Sequence, residues 1–223
     1  MPARTLAIGD VHGCHVALTT LLALVKPTAE DTLIFLGDVV DRGPATKECI
    51  DEVLRLQDEC VVISLMGNHE EMMRGSIQKS FMLEMWLLCG GSEALESYGG
   101  LIDKIPASHL KWLSLLRPFY ETPTEIFVHA KLEPRMTLAN QTADYLRWKK
   151  LGGSERPHIS GKRVICGHTP QKDGYPLVFD GWVCLDTDCC RMKWLTCLDV
   201  TTDHVWQTNE AGQSREFELA DYA

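Results

Sequence analysis

The chain opens with short apolar runs, most of them closed by a glycine and then by a residue able to bind a metal or move a proton. Thr5 to Ile8 ends at Gly9-Asp10, Leu33 to Leu36 at Gly37-Asp38, and Val61 to Met66 at Gly67-Asn68-His69. Ile126-Phe127-Val128 ends directly at His129, and Val164-Ile165-Cys166 at Gly167-His168. Runs that are apolar at every position suit strands buried on both faces, and so predict interior parallel strands joined by covering helices. Leu18, Leu21, Leu22 and Val25 recur at helical spacing after the first run. Cys49, Ile50, Val53 and Leu54 do so after the second, with Pro44 suited to the first turn of that helix.

Residues 71 to about 118 predict a mainly helical insertion, with Met72, Met73, Phe81, Met82, Met85, Trp86, Leu87 and Leu88 before Gly90-Gly91 and a second piece from Ala107 to Leu116. The Met and Trp stripe reads first as core and second as one wall of a substrate cleft. The last third is richer in strands, at Leu177 to Phe179, Val183 to Leu185, Lys193 to Val200 and His204 to Trp206. Asp180-Gly181 is a hairpin turn between the first two, and Gly152 to Gly161 is the expected mobile loop. The pattern is that of one α/β domain over 1–223. In open α/β sheets a site forms beyond the carboxyl ends of the strands, where all of these polar residues fall.

Composition narrows the chemistry. The chain has 223 residues, enough for one substantial core. Its 22 Lys+Arg against 31 Asp+Glu give a net charge of -9, which argues against extended nucleic-acid binding. A small anionic substrate stays open, because bound divalent ions reverse the potential within a cleft. The nine cysteines form no CxxC pair and several lie in apolar runs, which suits free thiols in a reducing compartment. With a strand expected from Thr5 there is no room for a signal peptide, and no apolar run approaches the roughly 20 residues of a membrane span. The expectation is a cytoplasmic protein with no membrane contact.

Asp10, His12, Asp38, Asn68, His129 and His168 together form a candidate metal set. Any one of them reads equally well as a cap or turn residue, but six placed at strand ends are hard to explain separately. Asp10-Val11-His12 in extended chain puts both side chains on one side. The expected division is Asp10, His12 and Asp38 on one ion and Asp38, Asn68, His129 and His168 on the other, with Asp38 bridging. Oxygen and neutral nitrogen donors suit two divalent ions, Mn²⁺ first, with Fe, Zn or Ni as other occupants. Arg42 in Asp41-Arg42-Gly43 is the candidate for gripping phosphoryl oxygens. His69, steadied by Asp41, is the candidate proton donor to a leaving oxygen.

Gly9-Asp10-Val11-His12-Gly13, Gly37-Asp38-Val39-Val40-Asp41-Arg42-Gly43 and Gly67-Asn68-His69-Glu70 closely resemble the metallophosphoesterase signature, in its phosphoprotein phosphatase branch. Val128-His129-Ala130, Gly167-His168-Thr169-Pro170, Trp86-Leu87-Leu88-Cys89-Gly90-Gly91, Ser97-Tyr98-Gly99 and Leu185-Asp186-Thr187 continue the likeness. The resemblance implies a four-layer αββα sandwich with two mixed sheets and a dinuclear centre, and its ligand roles fall on the six residues above. Its proton-donating His matches His69 with Asp41 behind it, and its first phosphate-binding Arg matches Arg42. Pro170 stands where broader relatives carry a further metal-binding His, so the first ion should have fewer protein ligands. Two positions depart from the pattern. Lys131 replaces a glycine, which would carry strain if the backbone there needs positive φ. Lys150 stands where a second phosphate-binding Arg is usual, with Arg147 as a neighbouring substitute.

The resulting expectation is an in-line phosphomonoester hydrolase, serine/threonine protein phosphatase-like, using a metal-activated hydroxide. Arg42, Asn68, Lys150 and Lys131 would meet the substrate, a phosphorylated peptide, protein or small phosphate ester. The enzyme alternative is a symmetrical dinucleoside-tetraphosphate hydrolase. The non-enzyme alternative is a phosphate- or metal-sensing module, against which His69 and Arg42 argue, since binding a metal requires neither.

Overall fold

Two β-sheets lie face to face at the centre of the computed structural model, which describes residues 3–222. In chain order the strands are β1 (Thr5–Ile8), β2 (Thr32–Phe35), β3 (Val61–Ser64), β4 (Phe119–Glu121), β5 (Glu125–Val128), β6 (Arg163–Cys166), β7 (Leu177–Phe179), β8 (Trp182–Cys184), β9 (Leu195–Asp199), β10 (His204–Thr208) and β11 (Ser214–Glu218). The α-helices are α1 (His15–Val25), α2 (Thr46–Leu56), α3 (Asn68–Gln78), α4 (Leu83–Trp86), α5 (Ser92–Ser97), α6 (Ala107–Leu115) and α7 (Ala143–Arg147). One sheet has the order β11-β10-β9-β1-β2-β3 and the other β4-β5-β6-β8-β7. β1, β2 and β3 run parallel, as do β5, β6 and β8, and antiparallel strands complete both sheets.

Strand periodicity explains why the runs contain no polar gaps. Leu6, Ile8, Leu33 and Phe35 pack toward the helices, while Ala7, Ile34 and Leu36 pack between the sheets. In the second sheet Phe127 and Ile165 face the first sheet, and Ile126, Val128, Val164 and Cys166 face outward against Leu146 of α7. The result is the expected αββα sandwich of two mixed sheets. The hairpin at Asp180-Gly181 forms as expected between antiparallel β7 and β8.

The segment after β3 is helical as expected, running from α3 through α4, a π-helical turn at Leu87–Gly91 and α5 to α6. Its apolar stripe divides into a buried part and an exposed part. Met72, Met73 and Trp86 are buried core, whereas Phe81 (78% exposed), Met85 and Leu88 (82% exposed) project outward at i, i+4 and i+7. Pro44 lies two residues before α2 begins at Thr46, so it precedes that helix's first turn rather than occupying it. Gly152 to Gly161 carries no regular structure, and the Glu155 carboxylate accepts from the backbone N–H groups of Gly152, Gly153 and Ser154. Among the described residues no helix is long and apolar enough to cross a membrane.

Candidate metal centre

The polar residues at the carboxyl ends of β1, β2, β3, β5 and β6 converge on Asp38. His12, Asp38 and His69 form one gathering of ligand-type atoms, and Asp38, His129 and His168 form a second. Asp38 belongs to both. Asn68 joins the second, its Oδ1 lying 3.0 Å from His129 Nε2. Asp10 stands outside both: its two carboxylate oxygens accept from the His168 backbone N–H, each at 3.1 Å.

The chain turns sharply to make this convergence possible. His12, Asp38, Asp41, Arg42 and His168 all have φ between 48° and 71°, the left-handed region that non-glycine residues rarely enter. His12 at φ 48° is therefore not extended, so the strand conformation expected through Asp10-Val11-His12 ends at His12. Instead the backbone N–H groups of both Val11 and His12 donate to the Asp38 carbonyl, at 3.1 and 2.8 Å, folding the first turn onto the second. Gly67 shows why glycine precedes the ligand. A Cβ there would come within 2.1 Å of Asp38 Oδ1.

The histidine tautomers follow from their partners. His12 Nδ1 donates to the Val40 carbonyl, His129 Nδ1 to the Leu36 carbonyl and His168 Nε2 to the Trp148 carbonyl, each at 3.0 Å. A carbonyl only accepts, so each ring spends its proton outward and turns its other nitrogen toward the centre. Burial holds His12 well below the usual histidine range, and burial with the facing His129 brings His168 down to about 4, so both are neutral donors near pH 7.

The carboxylates show the opposite strain. Burial, together with Asp186 and Asp38, pushes Asp10 well above the usual range. Burial brings Asp186 up to about 6, with Asp38 adding to the rise. Asp38 goes the other way: burial raises it, but the imidazoles of His129, His69 and His12 win and hold it low.

These donors fit a divalent cation. His129 Nε2 and Asn68 Oδ1 face each other as two acceptors at 3.0 Å, an arrangement that calls for a second ring proton or a cation between them. Crowded buried carboxylates call for positive charge in the same place. The two gatherings sharing Asp38 are consistent with a dinuclear metal cofactor.

Beside the centre, Arg42 Nη1 donates to His12 Nε2 at 2.9 Å. His69 Nδ1 donates to Asp41 Oδ2 at 2.8 Å, as expected, while its Nε2 faces Asp38 Oδ2 at 4.0 Å. Burial lowers His69, but the charges of Asp38 and Asp41 outweigh it and raise the ring above its usual value. The lysines stand further out. Lys131 Nζ is bound to Glu155 at 2.8 Å, and Lys131 is not among the left-handed residues, so the strain considered for it is not there. Lys150 is exposed. Arg147 is bound to Glu71 at 2.7 Å, and Trp148 Nε1 donates to the same carboxylate.

Two residues that the motifs contain, but to which the sequence assigns no role at the site, complete the setting. Glu70 accepts the backbone N–H groups of Asp38, Val39, Val40 and Gly67 at 2.7–3.2 Å, tying the start of α3 to the Asp38 turn. Burial and the Asp38 charge push it up to about 7, against the pull of those donors. Its available signal was an acid at the third position of a helix that opens on Gly67. The other is Trp86, whose indole Nε1 donates to both oxygens of Asp41, at 2.9 and 3.0 Å.

Known proteins place this geometry. The symmetrical bis(5'-nucleosyl)-tetraphosphatase of Burkholderia thailandensis is 32% identical over 149 residues, covering 64% of this chain and 48% of that protein. The chain spans about half the length of the curated relatives it matches. A solved structure provisionally named as a diadenosine tetraphosphatase superposes with a TM-score of 0.70 at 20% identity, covering 97% of this chain and 95% of that one. A cold-active protein-tyrosine phosphatase of a psychrophilic Shewanella species superposes with a TM-score of 0.65 at 18% identity, over 98% of this chain and 81% of that one. The family profile of calcineurin-like phosphoesterases matches residues 3–179, a stretch that runs through every strand end converging on Asp38. The chain therefore belongs to the calcineurin-like phosphoesterase family and is a metallophosphoesterase.

Proposed function

We propose that this chain hydrolyses the phosphoanhydride bridge of dinucleoside tetraphosphates. The observation that carries the hydrolytic reading is Asp38, common to two gatherings of imidazole nitrogen and carboxylate groups. In this reading Asp10, His12 and Asp38 hold one divalent ion, and Asp38, Asn68, His129 and His168 hold the other, with Mn²⁺ the first candidate. Bound ions supply positive charge that neutralises phosphoryl oxygens and lowers the pKa of water at the site.

The rest of the chemistry belongs to the chain. Arg42, whose guanidinium already points at His12, pairs with a phosphoryl oxygen through its planar fork. Asp41 holds the His69 ring so that Nε2, with its proton, faces the leaving oxygen. Asn68 lies within reach of the same phosphoryl group. Lys150 adds positive charge at the exposed lip, and Lys131 does so from its seat on Glu155. The chain acts as one domain whose helical insertion walls the cleft, with Phe81, Met85 and Leu88 offering apolar surface to a nucleoside.

This reverses the ranking that the motifs alone suggest. The first curated relatives, 30–32% identical, are symmetrical tetraphosphatases, whereas the likeness to phosphatase structures speaks for the fold only. The deciding experiment compares initial rates on a dinucleoside tetraphosphate and on a phosphoserine peptide in one Mn²⁺ solution. Preference for the tetraphosphate, with two nucleoside diphosphates as products, is expected. Preference for the peptide overturns the reading and returns the site to phosphomonoesters.

A further inference from the structure

Asp41 is fully buried, and among the described residues its carboxylate accepts from two side chains, His69 Nδ1 and Trp86 Nε1. The indole N–H lies between the two oxygens, at 2.9 and 3.0 Å. Trp86 is itself fully buried at the end of α4, and a Cβ on Gly91 would come within 2.5 Å of its ring, so the indole is packed in place. Four residues on, the Gly90 carbonyl accepts from Arg42 N at 2.9 Å. The segment 86–91 thus grips the Asp41-Arg42 turn at both residues, each of them in the left-handed region.

A phenylalanine would fill most of the same apolar pocket. What tryptophan adds is one N–H, aimed at the carboxylate behind His69.

We propose that Trp86 is a positioning residue for the proton-transfer end of the site: its indole N–H fixes the Asp41 carboxylate, and Asp41 in turn aims His69 Nε2 at the leaving oxygen. The inference rests on His69 being the proton donor. When the phosphorus–oxygen bond to the leaving group breaks, the proton on His69 Nε2 passes to that oxygen. The ring keeps its Nδ1 proton on Asp41 and ends the step neutral. With Trp86 removed, Oδ1 has no donor and the carboxylate can rotate, so the His69 ring loses its fixed direction.

The test compares Trp86→Phe, His69→Asn and the double variant in the full chain with Mn²⁺. Each is assayed on phenyl phosphate, whose leaving oxygen needs a proton, and on 2,4-dinitrophenyl phosphate, whose leaving oxygen does not. Trp86→Phe should lower kcat on phenyl phosphate by about 10–100-fold and leave the dinitrophenyl ester within about 3-fold, because only the former depends on general-acid help. The double variant should lose no more than His69→Asn alone, since the two residues act as a unit. Mn²⁺ stoichiometry, read by titration, should be unchanged in Trp86→Phe.

Equal losses on both esters, additive losses in the double variant, or loss of bound Mn²⁺ would show that Trp86 only supports the fold. A measurement that keeps Trp86 in place decides the matter if Trp86→Phe does not fold. With ¹⁵N-labelled tryptophan in metal-free protein, the Trp86 indole N–H should be protected from exchange, and its resonance should move in Asp41→Asn. A fast-exchanging, unmoved resonance overturns the proposal. If His69→Asn itself affects both esters alike, the proton-donor assignment falls and takes this inference with it. If His69→Asn discriminates and Trp86→Phe does not, only this inference falls.

Discussion

Replacing Glu70 by glutamine changes one atom in a buried carboxylate and should loosen the turn that carries Asp38. Each carboxylate oxygen accepts two backbone N–H groups: Oε1 from Val39 at 2.7 Å and Val40 at 3.2 Å, Oε2 from Asp38 at 2.9 Å and Gly67 at 3.0 Å. A glutamine amide keeps one oxygen and turns an NH₂ toward the other two donors, so two of the four bonds are lost at once. At about 1.5 kcal/mol net for each such bond, the loss is about 3 kcal/mol. That is a large share of a total stability on the order of 5–15 kcal/mol. For a chain of this size it lowers the unfolding midpoint by roughly 6–12 °C. Urea unfolding of metal-free protein measures it as a shift in midpoint with unchanged slope. Divalent-ion affinity should fall by about 10–100-fold as well, because the same turn orients Asp38. A loss below about 1 kcal/mol with unaltered ion affinity would mean that water replaces those bonds and that Glu70 organises nothing.

Asp31, almost fully buried, accepts from the backbone N–H, Nε and Nη2 of Arg4 and from Thr28, and so ties the start of β1 to the turn before β2. Burial raises its pKa, but the hydrogen bonds from Arg4 and Thr28 prevail and hold it well below the usual carboxylate range. A depressed folded-state pKa gives stability that is complete above the unfolded value of about 4 and is lost as the pH falls below it. Asp31→Asn should therefore cost about 2–4 kcal/mol at pH 7, with the gap from the unsubstituted chain narrowing toward pH 3 in urea titrations. A gap independent of pH would refute the charge argument. Changing Phe81, Met85 and Leu88 together to serine should raise KM for a dinucleoside tetraphosphate about 3–10-fold with little change in kcat, because it removes apolar contact remote from the bond that breaks. An unchanged KM would detach the insertion's outer face from the substrate.

The strand-end residues were legible because each signal is local: an apolar run, in most cases a glycine, and a donor. Burial on both faces made the runs continuous, and close approach of backbones made the glycines necessary, as at Gly67. Trp86 and Glu70 escaped because their bonds reach Asp41, 45 residues away, and the Asp38 turn, about 30 residues away. Nothing in the adjoining sequence marks those partners. β4 and β11 escaped for a different reason. Both are edge strands, and Ser214–Glu218 alternates exposed and half-buried positions with Phe217 as its only large apolar residue. An edge strand with one wet face carries little hydrophobic signal. The extended-chain rule does not reach through Asp10-Val11-His12, because the chain leaves the strand conformation at His12 itself.

At three of the five strand ends that meet here, those of β1, β2 and β6, the chain turns away through left-handed residues. His12, Asp38, Asp41, Arg42 and His168 each carry that conformation, at a cost of about 1–3 kcal/mol apiece. The same turns bury Asp10, Asp38, Asp41 and Asp186, and the nearby Arg42 guanidinium donates to His12 rather than to any of these carboxylates. Without a cation this arrangement opposes folding, and the three apolar cores must offset it. Asp10 is the sharpest case, since burial and the carboxylates of Asp186 and Asp38 disfavour its charge, and its hydrogen-bond donor among the described residues is the His168 N–H. Asparagine keeps the shape and an oxygen for that N–H. Asp10→Asn should therefore raise the urea stability of the EDTA-treated protein by about 1 kcal/mol, as relief of crowded site charge commonly does. It should also weaken the gain that Mn²⁺ gives the unsubstituted chain, a gain of about 4 kcal/mol at a thousandfold excess over Kd. A less stable metal-free variant would mean that Asp10 holds the fold through its charge, and the tension between fold and site described for this turn would not exist.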